Sequence, residues 1–109
     1  MASSERARPM ALLLVRQVPR DRYGRRFDVH LVNVGKADAC AASWRVERIG
    51  YGAPFITTIL RDLPSAVPAG ADLLVASADR DDARQEQVDM IVRWVQPSGA
   101  VEESLHRFT

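Results

Sequence analysis

The chain has 109 residues, a length that suits one domain and leaves little room for a second. Hydrophobic residues make up 47% and charged residues 27% of the sequence, which excludes a disordered chain. The single cysteine, Cys40, excludes an internal disulfide. The early apolar run 10–15 is too short for a membrane-spanning helix and too tightly bracketed for a signal peptide. We therefore expect a cytoplasmic or virion-associated protein with no membrane span.

The charge is unevenly distributed, although the formal net charge is only +1. Residues 1–26 carry a balance of +5 and residues 27–109 a balance of −4. Arginine supplies all the basic residues except Lys36, a bias typical of a GC-rich bacterial or phage coding sequence. Residues 1–9 are polar and basic without periodicity, which predicts a flexible leader followed by one domain over residues 10–109.

Seven short segments show strand signals, and turn residues separate them. Residues 27–34 alternate apolar and polar side chains, the period-2 pattern of a half-buried strand. Residues 64–70 are rich in Pro and Gly and predict a connector. The predicted strands are 10–18, 27–34, 40–49, 54–60, 72–77, 88–96 and 101–108. This spacing predicts an all-β chain with a single immunoglobulin-like β-sandwich of about seven strands.

Residues 82–95 also fit a helix. Val88, Ile91, Val92 and Val95 have helical spacing, and Asp82 with Gln85 could form a capping box. The run IVRWV is rich in β-branched and aromatic residues, and the turn after it leads into another strand-like run. We favour a strand; a helix would make the fold α+β.

Fourteen residues are predicted to form the core. Trp44 and Trp94 are among them, because the alternation of their strands places both in the interior of a sandwich. The full predicted core is Leu12, Leu14, Phe27, Val29, Leu31, Trp44, Val46, Ile56, Leu74, Val88, Met90, Val92, Trp94 and Leu105.

Three stretches resemble the conserved parts of bacterial immunoglobulin-like domains such as the cell-adhesion-related CARDB group. Residues 29–47 (VHLVNVGKADACAASWRVE) show an apolar strand, Asn-x-Gly, small residues and another apolar strand. Residues 63–76 (LPSAVPAGADLLVA) and 94–99 (WVQPSG) are similar to a loop and a closing hairpin of those domains. The resemblance implies an immunoglobulin-like fold and a binding module on a cell surface or outside the cell.

The sequence shows no pattern of catalytic or metal-binding residues. The two histidines, His30 and His106, lie in predicted strands, and Cys40 is interpreted as a packed, buried or half-buried thiol. The acidic residues of 79–82 lack the ligand spacing of a calcium loop and are interpreted as solvated. We therefore expect no enzyme activity, no metal and no cofactor.

Three loops are the candidate contact regions: 19–26, 49–54 and 97–100. In the first, arginines surround an aromatic residue, a pattern that can grip phosphates and stack on bases. The candidate binding residues are Arg16, Arg20, Arg22, Tyr23, Arg25, Arg26 and Tyr51.

Three functions remain open at this point. The leading hypothesis is a non-catalytic module for protein interaction or structure, whose partner is itself or a neighbour in an assembly. A sharper version is a structural or decoration subunit of a phage virion, docked through its basic leader. The alternative is a binder of nucleic acid or another polyanion through residues 16–26, although a pI near 8.0 is modest for that role.

Overall fold

The described part of the chain folds as an all-β sandwich of two antiparallel four-stranded sheets, as the sequence predicts. The computed structural model describes residues 9–22, 26–49, 56–59, 62–79 and 87–108. The strands are β1 (Leu13–Pro19), β2 (Arg26–Asn33), β3 (Ala39–Ile49), β4 (Ile56–Ile59), β5 (Ala66–Val67), β6 (Asp72–Asp79), β7 (Gln87–Val95) and β8 (Val101–Arg107). The prediction of a strand is confirmed for β7.

The strand order is that of an immunoglobulin-like sandwich. Sheet A has the order β1-β2-β6-β4 and sheet B the order β5-β3-β7-β8. With β5 set aside, these orders correspond to the ABED and CFG sheets of the immunoglobulin constant-type fold. The two-residue strand β5 lies in the predicted connector 64–70 and pairs with the start of β3.

The core lies between the sheets and draws on the inward faces of both. Sheet A contributes Phe27, Val29 and Leu31 from β2, which the sequence predicts. Sheet B contributes the alternate residues of β7, which are Val88, Met90, Val92 and Trp94, also as predicted. Trp44 and Val46 are partly buried against this core, and the side chain of Ile56 lies outside the described residues.

The prediction that Leu12 and Leu14 face the core is wrong. Both are exposed on the outer face of sheet A, and their neighbours Ala11 and Leu13 are buried instead. Residues 10–15 are apolar on both faces, so alternation could not tell the inner face from the outer. Pairing of Leu13 with the buried Asn33 sets which residues of β1 face inward.

The assignments of Leu105 and Leu74 to the core are also wrong. The 97–99 turn, closed by Gly99 at φ 94°, sets a register that places Leu105 opposite Ile91 on the outer face of sheet B. In β6, a register shift at Val75 reverses the alternation, so that Leu74 lies opposite His30 and is half-buried. Val75 is fully buried in its place.

A buried side chain, that of Asn33 at the end of β2, joins the two sheets. Its Oδ1 accepts hydrogen bonds from the backbone N–H of Leu12 (3.2 Å) and Gly35 (3.0 Å). Its Nδ2 donates to the carbonyls of Ala37 (2.9 Å) and Val67 (3.0 Å). The amide thus ties β1 in sheet A and β5 in sheet B to the turn between β2 and β3.

Gly35 allows the chain before β1 to lie against this turn. A Cβ atom at position 35 would collide with the carbonyl oxygen of Met10, which is backbone and cannot rotate away. The same approach lets Val34 and Lys36 donate backbone hydrogen bonds to Leu12 and Met10, both at 2.9 Å. The Asn-x-Gly motif therefore serves close approach as well as turn formation.

Side chains from sheet B cover the edge of β1. The buried amide of Gln96 pairs with both backbone groups of Ala11, accepting from its N–H and donating to its carbonyl, each at 2.8 Å. The hydroxyl of Ser104 donates to the carbonyl of Leu13 at 2.8 Å. These contacts satisfy backbone groups that an edge strand would otherwise leave open.

Replacing Asn33 with alanine is expected to lower the free energy of unfolding by about 3 kcal/mol, because four buried or part-buried backbone groups lose their partner. Urea denaturation of wild type and Asn33→Ala measures the change. Lys36→Ala is the matched control, since it truncates an exposed side chain in the same turn and should shift stability by less than about 0.5 kcal/mol. Equal effects of the two substitutions would contradict the structural role of Asn33.

Candidate functional site

The structure describes four arginines of the predicted binding residues, and all four lie on the hairpin formed by β1 and β2. Arg16 is in β1, Arg20 and Arg22 follow that strand, and Arg26 begins β2; all four are exposed. The backbone N–H of Arg20 donates to the carbonyl of Arg26 at 2.7 Å and closes the hairpin. The other three predicted residues, Tyr23, Arg25 and Tyr51, lie outside the described residues.

Carboxylates lie against two of these arginines. Arg16 Nη2 donates to Asp72 Oδ2 at 2.6 Å, and Arg20 Nε lies 3.7 Å from Asp28 Oδ1. The hydroxyl of Ser77 also donates to Asp28, at 3.1 Å. An arginine paired with a carboxylate presents less positive charge to a polyanion, so the hairpin is a weaker electrostatic site than its arginine count indicates.

A patch of apolar side chains covers the adjoining part of the outer face of sheet A. It consists of Met10 (51% exposed), Leu12 (44%), Leu14 (42%) and Val34 (54%), and we call it the apolar patch. The β1–β2 register sets Leu14 opposite Val32, and a backbone hydrogen bond joins Val34 to Leu12. Side chains that alternate on neighbouring strands point to the same face, so the four form one surface.

An ion network borders the apolar patch on the same face. Asp72 contacts Arg16 through Oδ2 and His30 Nδ1 through Oδ1, both at 2.6 Å. Arg16 follows Leu14 by two residues in β1, and His30 precedes Val32 by two residues in β2, so these two form the next row of the sheet, while Asp72 lies opposite Val32 on β6. The face therefore changes from apolar to charged within one step along the strands.

The sequence offered only part of the signal for this surface. Three consecutive leucines in a strand cannot all face inward, because alternate side chains point to opposite faces. At least one leucine of residues 12–14 must therefore face outward, but alternation alone does not identify which leucine it is. The network of Arg16, His30 and Asp72 joins residues up to 56 positions apart, so no local pattern indicates it.

Cys40 is exposed, so the prediction of a packed, buried or half-buried thiol is wrong. Its neighbour Ala39 takes the inward position at the start of β3, and alternation turns Cys40 outward. Within the described ranges, no three His, Cys, Asp or Glu residues cluster as a metal site would require. The same ranges contain no helix with the length and apolar character needed to cross a membrane.

Comparison with known proteins gives no relative: the chain matches no protein-family model, no curated protein and no solved structure.

His106 forms a polar link between the sheets, and burial favours its neutral state. Its Nε2 donates to Gln17 Oε1 at 2.7 Å, from β8 to β1. Burial lowers the pKa of His106 from its ordinary value of 6.5, because the surroundings disfavour the charged imidazolium. The unfolded chain therefore takes up the proton more readily than the folded one.

We expect the free energy of unfolding to fall as pH decreases below about 6.5, because the contribution of neutral His106 is present above the unfolded pKa and is lost as pH passes down through the folded one. Urea denaturation between pH 7.5 and 5.5, above the range where carboxylates titrate, measures it. His106→Gln keeps a polar side chain that does not titrate, so its free energy of unfolding should depend less on pH over this range. An unchanged pH dependence in His106→Gln would contradict the assignment of the effect to His106.

Proposed function

We propose that this chain is a non-catalytic protein-interaction module of immunoglobulin-like fold, and that the apolar patch is its contact surface. The observation that carries the proposal is the exposure of Met10, Leu12, Leu14 and Val34 together on one sheet face. Single exposed apolar residues are ordinary in soluble proteins, whereas a contiguous group with a polar border is typical of protein contact sites.

The composition of the face supports a protein partner. Interfaces combine an apolar centre with a polar, solvated border, and the network of Arg16, Asp72 and His30 supplies such a border beside the apolar patch. Leu14 lies in β1 and Leu12 just before it, and Asn33 and Gln96 hold this part of the chain in place. A surface on a fixed sheet loses little conformational freedom on binding, which favours affinity.

The polyanion hypothesis has one observation in its favour, the exposure of Arg22 and Arg26 at the end of the hairpin. The carboxylates Asp72 and Asp28 beside Arg16 and Arg20 count against it. Binding to phosphates would weaken steeply with salt, whereas binding through the apolar patch would change little. The virion-subunit version and the kinship to CARDB-like domains stay predictions.

Site-specific photo-crosslinking in the producing cell tests the proposal. A photoreactive amino acid at position 14 or 34 is expected to capture a defined protein, because these side chains face the partner. The same group at position 69, exposed in the turn before β6, is the control and should capture none of it. The captured protein is then purified and its affinity for the chain measured by calorimetry.

Leu14→Lys and Val34→Lys should each weaken that affinity at least about tenfold, since each removes an apolar side chain from the contact and buries a charge. Ala69→Lys adds the same charge elsewhere and should leave the affinity within about twofold. Equal capture at positions 14, 34 and 69, or lysine variants that bind normally, would overturn the proposal. Capture of nucleic acid, with a steep salt dependence, would support the polyanion hypothesis instead.

A further inference from the structure

A second surface, the outer edge of sheet B, is formed by β8. The hydrogen bonds of Gln96 N–H to the Ala100 carbonyl and of Phe108 N–H to the Val88 carbonyl fix which β8 residues bond to β7. With the antiparallel register, they assign the even-numbered residues of 100–108 to that ladder. The backbone groups of Val101, Glu103 and Leu105 therefore point away from β7, to the side where sheet B ends.

The other edges of the two sheets carry features that limit pairing with a further strand. On β1, Gln96 and Ser104 occupy backbone groups of Ala11 and Leu13. Strand β4 has four residues and a register shift, and the two-residue β5 covers only the start of β3, whose pairing with β7 shifts between Cys40 and Ser43. Strand β8 is different, because its seven residues pair with β7 without a shift and contain neither Pro nor Lys. Such an edge readily accepts another strand.

We infer that β8 pairs antiparallel with β8 of a second copy of this chain, on a two-fold axis that passes through Leu105. The order of charges along β8 favours a second copy of this chain as the partner. In this register Leu105 lies opposite Leu105 of the other copy, and Glu103 lies opposite Arg107 on each side. A two-fold axis brings the same strand to both sides of the contact, so every favourable pair occurs twice.

Neighbouring registers are less complementary. A shift that centres the axis on Glu103 sets two carboxylates directly opposite each other, which is unfavourable. The intermediate register sets Glu103 opposite Leu105 and Arg107 opposite Val101, so neither charge meets its opposite. Only the axis through Leu105 matches both charges with partners of opposite sign.

On the outer face of sheet B, the charged residues of β8 also have neighbours of opposite charge on β7. Arg93 is the cross-strand neighbour of Glu103, and Asp89 is that of Arg107, with Arg107 Nε 3.0 Å from Asp89 Oδ1. Across the pair of edges the charges would alternate as Arg93, Glu103, Arg107 and Asp89. In the central row, Ile91 is buried beside Leu105, which is 58% exposed and would be covered by its counterpart.

This inference uses a surface separate from the apolar patch and does not rest on the proposed function. Light scattering coupled to size-exclusion chromatography should give the wild-type chain twice the mass of the 12.1-kDa monomer at concentrations up to about 1 mM. Leu105→Lys should reduce it to monomer. Leu14→Lys makes the same substitution at an exposed leucine of the apolar patch and should leave the dimer intact.

Leu105→Pro is the second variant, because it removes a backbone N–H that points away from β7 and leaves the β7–β8 ladder bonds in place. Thermal unfolding of each variant checks that it is folded. A wild type that stays monomeric at about 1 mM, or a dimer lost in Leu14→Lys and kept in Leu105→Lys, would overturn the inference.

Oxidative crosslinking tests the register. In a Cys40→Ser background, Leu105→Cys should form a disulfide-linked dimer, because opposed residues on paired strands lie about 5.5 Å apart at Cα, within disulfide reach. Position 103 is also exposed, but Glu103→Cys would face Arg107, so it should remain at least about tenfold less linked under the same oxidation. Equal linking of the two variants, or linking through position 103 alone, would overturn the proposed axis.

Discussion

The side-chain amide of Asn33 is the interaction on which the rest of the structure depends. Asn33 is the chain's single asparagine, and it is fully buried. Its Oδ1 accepts two hydrogen bonds and its Nδ2 donates two, all with backbone groups. The backbone of Asn33 adds bonds to Ala71 (2.9 Å) and from Gly70 (3.0 Å), in the turn before β6. Buried polar groups that are fully satisfied specify one arrangement, because any slip would leave several of them unpaired. Asn33 therefore helps to fix the position of β1, together with Gln96 and Ser104, and with it the outward direction of Leu12 and Leu14.

Much of the fold was predictable from the sequence, because strand alternation and turn chemistry are local signals. The run from Phe27 to Leu31 predicted its inner face correctly, and the β-branched segment 88–95 was correctly preferred as a strand over a helix. The Asn33–Gly35 motif indicated a turn. Its second role, the close approach of Met10, depends on a contact with a distant part of the chain and could not be read from the motif.

The candidate surfaces were less predictable, since each depends on register. Leu12 and Leu14 lie in a run that is apolar on both faces, and Leu105 lies in a strand whose inward positions are the polar Ser104 and His106. Turns and distant hydrogen bonds set those registers, and a shift of one residue would exchange the two faces. The arginine-rich hairpin was visible in the sequence, whereas its pairing with carboxylates depends on the fold: Asp28 lies on the paired strand β2, and Asp72 comes from β6.

Methyl NMR spectra of the whole chain test most directly the claim that these outward surfaces serve protein contact. Leu12, Leu14, Val34 and Leu105 are exposed, and their methyl groups report on whatever covers them. We expect the Leu105 signals to shift as protein concentration alone is raised. The Leu12, Leu14 and Val34 signals should move only when the captured partner protein is added. Spectra in which the four residues stay unchanged under both conditions would contradict the claim.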